Sequence, residues 1–274
     1  MLPKAELHVH LEGTATPDLI RRLARRNGLE PPEGLFAAHA PDRFAWDGFL
    51  GFLAAYDRAA SVIRTTEDYR DITFEYLMSC AADGAIYVEL TASPDHAKLV
   101  GLSDEEHIDG IARGIDDARR DARIEGRILI SCVRNFGVEP ALRVARYAAA
   151  RRHPYIVGFS MAGDEENYPP AAYAEAFEIA ADGGLGCTVH AGEWAGPESV
   201  RGGLGLPVSR IAHGVRSIED PGLVEELAER GIFLECCPTS NVVLGIYPSY
   251  EDHPLPRLMA AGVKVRLPVA FGEV

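Results

Sequence analysis

The side chains of this sequence best placed for chemistry are histidines that end apolar runs. His8-Val9-His10 closes the run 5–10. Alternate residues of an extended chain share a face, so these two imidazoles project to one side and reach a single ion. His190 ends the run 185–190, and Ala191-Gly192-Glu193 then sets a carboxyl on the turn just beyond it. His213 ends the run 210–213 and is followed by Gly214. Each position alone is weak evidence, because a lone histidine at a strand end is more often hydrogen-bonded structure than a ligand. Together, four of the nine histidines share this placement, while His39, His96, His107, His153 and His253 fall in text expected to be loop or helix surface.

Several imidazoles with oxygen donors favour zinc over magnesium or calcium; iron, cobalt and manganese fit as well. A metal with an open position holds water and lowers its pKa toward neutrality, giving hydroxide as nucleophile. Glu193 is placed to hand a proton to a substrate, and His213 to orient or deprotonate the water. The combination is that of metal-assisted hydrolysis of a C–N bond.

Eight short apolar runs are expected to position these groups as strands: residues 5–10, 85–91, 128–133, 156–161, 185–190, 210–213, 232–236 and 263–267. Helical text separates most of them, for example 66–83, 103–125, 170–182 and 221–230, the last two with proline in the opening turn. Alternation on this scale over 274 residues predicts a TIM-type (β/α)8 barrel in one domain, 1–274. A doubly wound sheet shares the pattern, but no Gly-x-Gly-x-x-Gly follows the first strand. Residues 14–65 form an insertion after strand one, and its Phe44, Trp46, Phe49, Leu50, Phe52 and Leu53 suggest a helical lid. Only seven residues follow the eighth strand, so its covering helix is expected to be missing.

The formal net charge of −14 disfavours a nucleic-acid partner. Arginine pairs such as Arg21-Arg22 and Arg119-Arg120 read as solvated helix faces. No apolar run reaches membrane-spanning length, and the opening residues carry no signal core. Cys80, Cys132, Cys187, Cys236 and Cys237 are an odd set in apolar text, which suggests buried thiols in a reducing cytoplasm. Cys236 and Cys237, adjacent in an expected strand, would face opposite ways and not share an ion.

Five motifs in order carry a family resemblance. Pro3-Lys4-Ala5-Glu6-Leu7-His8-Val9-His10-Leu11-Glu12-Gly13 resembles the opening signature of the adenosine/adenine deaminase family. Gly163-Asp164-Glu165, His190-Ala191-Gly192-Glu193, Arg210-Ile211-Ala212-His213-Gly214 and Cys237-Pro238-Thr239-Ser240-Asn241 resemble its later motifs. The resemblance implies one Zn2+ per chain on His8, His10 and His190. It implies Glu193 as the acid that protonates N1 of a 6-aminopurine, and His213 as the residue positioning hydroxide for attack at C6. The substrate would be contacted by His10, by the backbone N–H of Gly163 at N3, and by Glu12, where the family has an acid toward ribose or its replacement. The implied partner is a small purine nucleoside or base, and the implied reaction is deamination of adenosine to inosine and ammonia. The alternatives are adenine as substrate, kept open by Glu12 in place of the aspartate of many adenosine-specific members, or an inactive truncated member.

Two departures from the family's pattern stand out. Ala212 occupies a position where the family motif has glycine. After strand eight, where the family carries a Ser-Asp-Asp-Pro-like segment with a zinc-binding aspartate, this chain runs from Leu267 into Pro268-Val269-Ala270-Phe271-Gly272, with Glu273 its last acid. Weak zinc binding and slow turnover are therefore expected.

Overall fold

Helix starts in this chain are written in capping chemistry. Thr65 with Asp68, and Ser103 with Glu106, form reciprocal capping boxes, and proline opens several other helices. The computed structural model describes residues 3–150 and 153–267. They fall into two compact units that divide between Ile128 and Leu129, inside a strand.

The first unit opens with β1 (Lys4–His10), which leads through a 3-10 turn, Leu11–Thr14, to α1 (Pro17–Arg26). A hairpin of β2 (Phe36–Ala37) and β3 (Ala40–Phe44) follows, its Phe36 and Phe44 rings stacked at 5.6 Å, and then α2 (Gly48–Ala60). The expected helical lid is thus a mixed insertion, because stacked aromatics across a short antiparallel pair compete with helix there. Next come α3 (Thr66–Ala82), β4 (Ala85–Ala92), α4 (Pro94–Leu99), α5 (Asp104–Ala122) and β5 (Glu125–Val133), the strand that crosses the boundary. β1 and β4 pair in parallel.

The second unit continues with α6 (Val138–Ala149), β6 (Ile156–Ala162), a 3-10 turn Pro170–Tyr173 that runs into α7 (Ala174–Asp182), and β7 (Gly186–Ala191). Then follow α8 (Pro197–Leu204), β8 (Arg210–His213), α9 (Pro221–Arg230), β9 (Phe233–Glu235), α10 (Pro238–Val243), α11 (Leu255–Ala260) and β10 (Lys264–Arg266). Consecutive strands from β6 to β10 pair in parallel, which their helical connections permit. Val189, Ile211 and Leu234 are fully buried along them.

All eight strands expected from the sequence are present, in the order β1, β4, β5, β6, β7, β8, β9, β10. The seventh ends at Glu235 and not Cys236, because Pro238 opens a helix and Cys237 caps it. The two thiols still diverge: Cys236 Sγ faces the His213 carbonyl at 3.5 Å and Cys237 Sγ the Glu235 carbonyl at 3.6 Å. All five cysteines are free and buried. Among the described residues no helix is long and apolar enough to cross a membrane. The missing final helix, the missing aspartates and Glu273 concern residues 268–274, outside the described residues.

Candidate active site

In the first unit, β1 positions His8 and His10. Its register against β4 advances from Glu6–Val88 to Val9–Leu90, three residues against two, which is a bulge. The buried Glu6 carboxylate accepts the His8 backbone N–H inside the bulge, at 2.9 Å. The two imidazoles come together as their spacing predicts, ring centroids 5.5 Å apart at 71°. Burial, then the neighbouring His8 and His96, pushes the His10 pKa down to about 3, so its ring is neutral, the form that ligates metal.

Glu12 lies on the turn that follows and is 1% exposed. One carboxylate oxygen accepts the Tyr56 hydroxyl at 2.7 Å, and the other accepts the Ser93 backbone N–H at 3.2 Å. Burial and the Glu12 charge hold the Tyr56 hydroxyl protonated. The Tyr56 ring stands perpendicular to His10 at 6.3 Å and packs on His96 at 5.5 Å. Burial opposes charge on His96, but Asp57 at 2.9 Å and the Glu12 carboxylate outweigh it and raise its pKa.

His96 and His107, expected in loops or on helix surfaces, are both buried. His107 is 0% exposed, packs against Tyr69 with centroids 4.3 Å apart, and lies 3.9 Å from a Glu12 oxygen. Neither of its ring nitrogens has a hydrogen-bond partner among the described residues. A signal for this burial was present. His107 precedes Ile111 and Ile115 at four-residue steps, on the apolar stripe of α5.

In the second unit, β7 and β8 pair with Ala191 opposite His213, so His190 and His213 emerge side by side, centroids 5.3 Å apart. His190 Nδ1 donates to the Met161 carbonyl at 3.0 Å, which leaves Nε2 as the lone-pair nitrogen. The ligand-type atoms of His190, Glu193 and His213 all lie within 4.8 Å of one another. Glu193 is buried with a carboxylate oxygen 3.3 Å from His213 Nε2. Its pKa is pushed up to about 8, first by burial and then by the Glu165 charge, with Arg134 opposing. Glu193 is therefore a protonated carboxyl at neutral pH.

Glu165 and Arg134 had no role assigned from sequence. The Glu165 carboxylate accepts the backbone N–H groups of Gly192, Glu193, Trp194 and Ala195, so it fixes the turn that carries Glu193. Arg134 is fully buried and donates to the His190 carbonyl at 2.7 Å; burial lowers its pKa and the Glu165 charge counteracts. Gly163 follows β6 at φ 111, and a Cβ there would stand 2.2 Å from Asn135 Oδ1, the atom that accepts the Asp164 N–H at 2.8 Å. Only glycine suits that position.

His253 is a further correction: expected at the surface, it is 4% exposed and it orders the site. The Leu255 backbone N–H donates to His253 Nδ1 at 3.2 Å. The burial-neutralised ring therefore carries its proton on Nε2 and donates to Asn241 Oδ1 at 3.1 Å. The Asn241 amide NH2 is then the donor to His213 Nδ1 at 3.3 Å. A neutral His213 must hold its own proton on Nε2, facing Glu193. His213 itself sits at φ 63, rare for a residue with a Cβ and maintained by its surroundings.

A family model described as "Adenosine deaminase" matches residues 3–269. The chain belongs to the adenosine deaminase family. Its fold class is α/β, of the TIM-type (β/α)8 kind. It is 47% identical over 268 residues to the adenine deaminase of Chelativorans sp. (strain BNC1), covering 97% of this chain and 81% of that protein. The crystal structure of adenine deaminase from Arthrobacter aurescens is similar at 31% identity and a TM-score of 0.88, over 97% of this chain and 81% of that one. An amidohydrolase from Burkholderia ambifaria, solved with bound Zn, is similar at 28% identity and a TM-score of 0.87, over 97% of this chain and 74% of that one. Deaminases of this family are hydrolases, and that much holds for the present chain.

Proposed function

We propose that this chain is a zinc-dependent adenine deaminase, which replaces the 6-amino group of adenine with oxygen from water and releases hypoxanthine and ammonia. The observation that carries the reading is the buried Glu193 carboxyl, protonated at neutral pH, 3.3 Å from an imidazole whose tautomer is set by its neighbours. The relatives named adenine deaminase support adenine over the adenosine that the family name suggests.

In this reading His8, His10 and His190 hold the zinc ion. The donor set suits it: His10 is held neutral, and His190 keeps its lone pair on Nε2. Zinc supplies Lewis acidity and an acidified water. Glu193 gives its proton to N1 of the purine, which makes C6 more electrophilic. The carboxylate so formed carries the proton from the attacking oxygen to the amino group, which leaves as ammonia. His213, carrying its proton on Nε2, orients the attacking oxygen; in that tautomer it is not the base. The Gly163 backbone N–H donates to N3 and fixes the base in its plane. The proposal includes a single deaminase domain, 1–274, and a reducing cytoplasmic setting for its five free thiols.

The test is ammonia release from adenine and from adenosine by purified protein of measured zinc content. Adenine is expected to be the better substrate, with turnover proportional to zinc and abolished by a chelator. Equal or better turnover of adenosine, or turnover independent of zinc, refutes the reading.

A further inference from the structure

His190 and His213 stand side by side on β7 and β8, yet their outer nitrogens meet opposite chemistry. His190 Nδ1 donates to the Met161 carbonyl at 3.0 Å, which leaves a lone pair on Nε2. Metal-binding histidines are held in this way, by an acceptor behind the ring. Behind His213 stands a donor instead, the Asn241 amide at 3.3 Å, which His253 orients from 3.1 Å. His213 Nε2 therefore carries hydrogen and has no lone pair to offer. Its position is nonetheless that of a ligand. The donor atoms of His190, Glu193 and His213 lie within 4.8 Å of one another, wholly inside the second unit. The Glu193 oxygen and His213 Nε2 are 3.3 Å apart, which matches the edge, roughly 3.3 Å, of a tetrahedron of donors about 2.1 Å from zinc.

We propose that His190, Glu193 and His213 form a latent seat for zinc, kept shut by the proton that Asn241 and His253 hold on His213 Nε2. Opening the seat requires that proton to move to Nδ1, where it meets the hydrogens of the Asn241 amide. Asn241 can accept it only by turning over, which sets its NH2 against the Nε2–H of His253. The His253 tautomer is fixed in turn by the Leu255 backbone N–H at 3.2 Å. Asn241 and His253 are both buried, so a reversed link leaves donors facing each other away from water. The relay thus steers the ion to the three-histidine set, which shares His190 with the latent seat. Zinc on the latent seat would displace the Glu193 proton to solvent and occupy both the acid and the group that orients the attacking oxygen. That inhibitory consequence rests on the purine deaminase reading above; the seat itself does not.

The experiment is equilibrium dialysis of zinc against the full chain carrying His8→Ala and His10→Ala, which removes the proposed catalytic seat and leaves the latent one. With Asn241 native, this protein is expected to bind zinc weakly. Adding Asn241→Asp puts a carboxylate behind His213 and draws its proton to Nδ1. Zinc affinity is then expected to rise about 10–100-fold, the scale of an outer-shell partner. His253→Leu unlocks the amide without reversing it and is expected to act in the same direction, by less. Adding His213→Ala to the Asn241→Asp protein is expected to abolish the gain. Cooperative urea unfolding establishes that each variant is folded. Unchanged zinc affinity in both relay variants overturns the proposal, as does a gain that survives His213→Ala. None of these readings needs turnover, so a chain that fails to deaminate purines sinks the proposed function and leaves the seat standing.

Discussion

His253 Nε2 lies 3.1 Å from Asn241 Oδ1, and through that amide a buried histidine fixes which nitrogen of His213 bears the proton. The chain of donors is anchored by the Leu255 backbone N–H, which can only donate. Asn241→Asp replaces the donor at His213 Nδ1 with a carboxylate, which demands the proton on Nδ1 and removes it from Nε2. The expected outcome is a fall in kcat of about 10²–10⁴-fold, the scale of a misassigned catalytic proton, with little change in the affinity for hypoxanthine. Steady-state kinetics paired with product binding checks it; wild-type kcat in this variant rejects the relay.

In the proposed mechanism Glu193 sets the alkaline limit of activity. The acid works only while protonated, and its pKa is about 8. Activity contributed by this group is therefore complete below that value and falls about tenfold per pH unit above it. Measured kcat/KM against pH is expected to bend near pH 8, and Glu193→Gln to lower kcat by about 10²–10⁴-fold at every pH.

Glu165 connects backbone to acid strength. Its carboxylate accepts the Glu193 N–H at 3.1 Å, together with those of Gly192, Trp194 and Ala195, and its charge helps raise the Glu193 pKa. Glu165→Gln removes that charge and weakens the turn. The expected results are a loss of about 1–3 kcal/mol in urea unfolding and a shift of the alkaline bend to lower pH. A bend that moves upward contradicts the assignment.

Gly163→Ala imposes a Cβ at φ 111, where it would meet Asn135 Oδ1 at 2.2 Å. Asn135 would have to release the Asp164 N–H, and the backbone conformation is itself strained for alanine. A loss of about 1–3 kcal/mol in chemical denaturation is expected, with weaker hypoxanthine binding.

His107 gives the protein an acid-sensitive core. Burial first, and His96 second, lower its pKa from 6.5 to about 3, despite the Glu12 oxygen 3.9 Å away. A histidine whose folded pKa is depressed contributes stability that is intact above pH 6.5 and lost as the pH falls toward 3, because the unfolded chain takes up the proton first. The slope is up to about 1.4 kcal/mol per pH unit from this group. Denaturant midpoints at pH 7 and pH 5 measure it, and His107→Gln is expected to flatten the difference.

Local sequence was sufficient for much of this molecule. The eight strands, the face shared by His8 and His10, and the placement of His190 and His213 at strand ends follow from spacing along a single extended segment. Side-chain direction alternates there by covalent geometry, so no distant residue has to be known. Capping boxes and opening prolines were equally legible, since each is closed within about one turn of helix.

Burial and distant partners depended on the tertiary fold. Glu12 is closed by Tyr56 and Ser93, which are 44 and 81 residues away, and Glu165 reaches the Glu193 turn across 28. His253 was expected at the surface, yet it meets Asn241 across 12 residues and so reaches His213. The pKa of Glu193 depends on how much water the fold removes around it and on a carboxylate brought in from another loop. The sequence determined which residue types stand at the strand ends. Only packing determined which of them are neutral, protonated or already occupied, because those states depend on desolvation and on hydrogen bonds between segments remote in the chain.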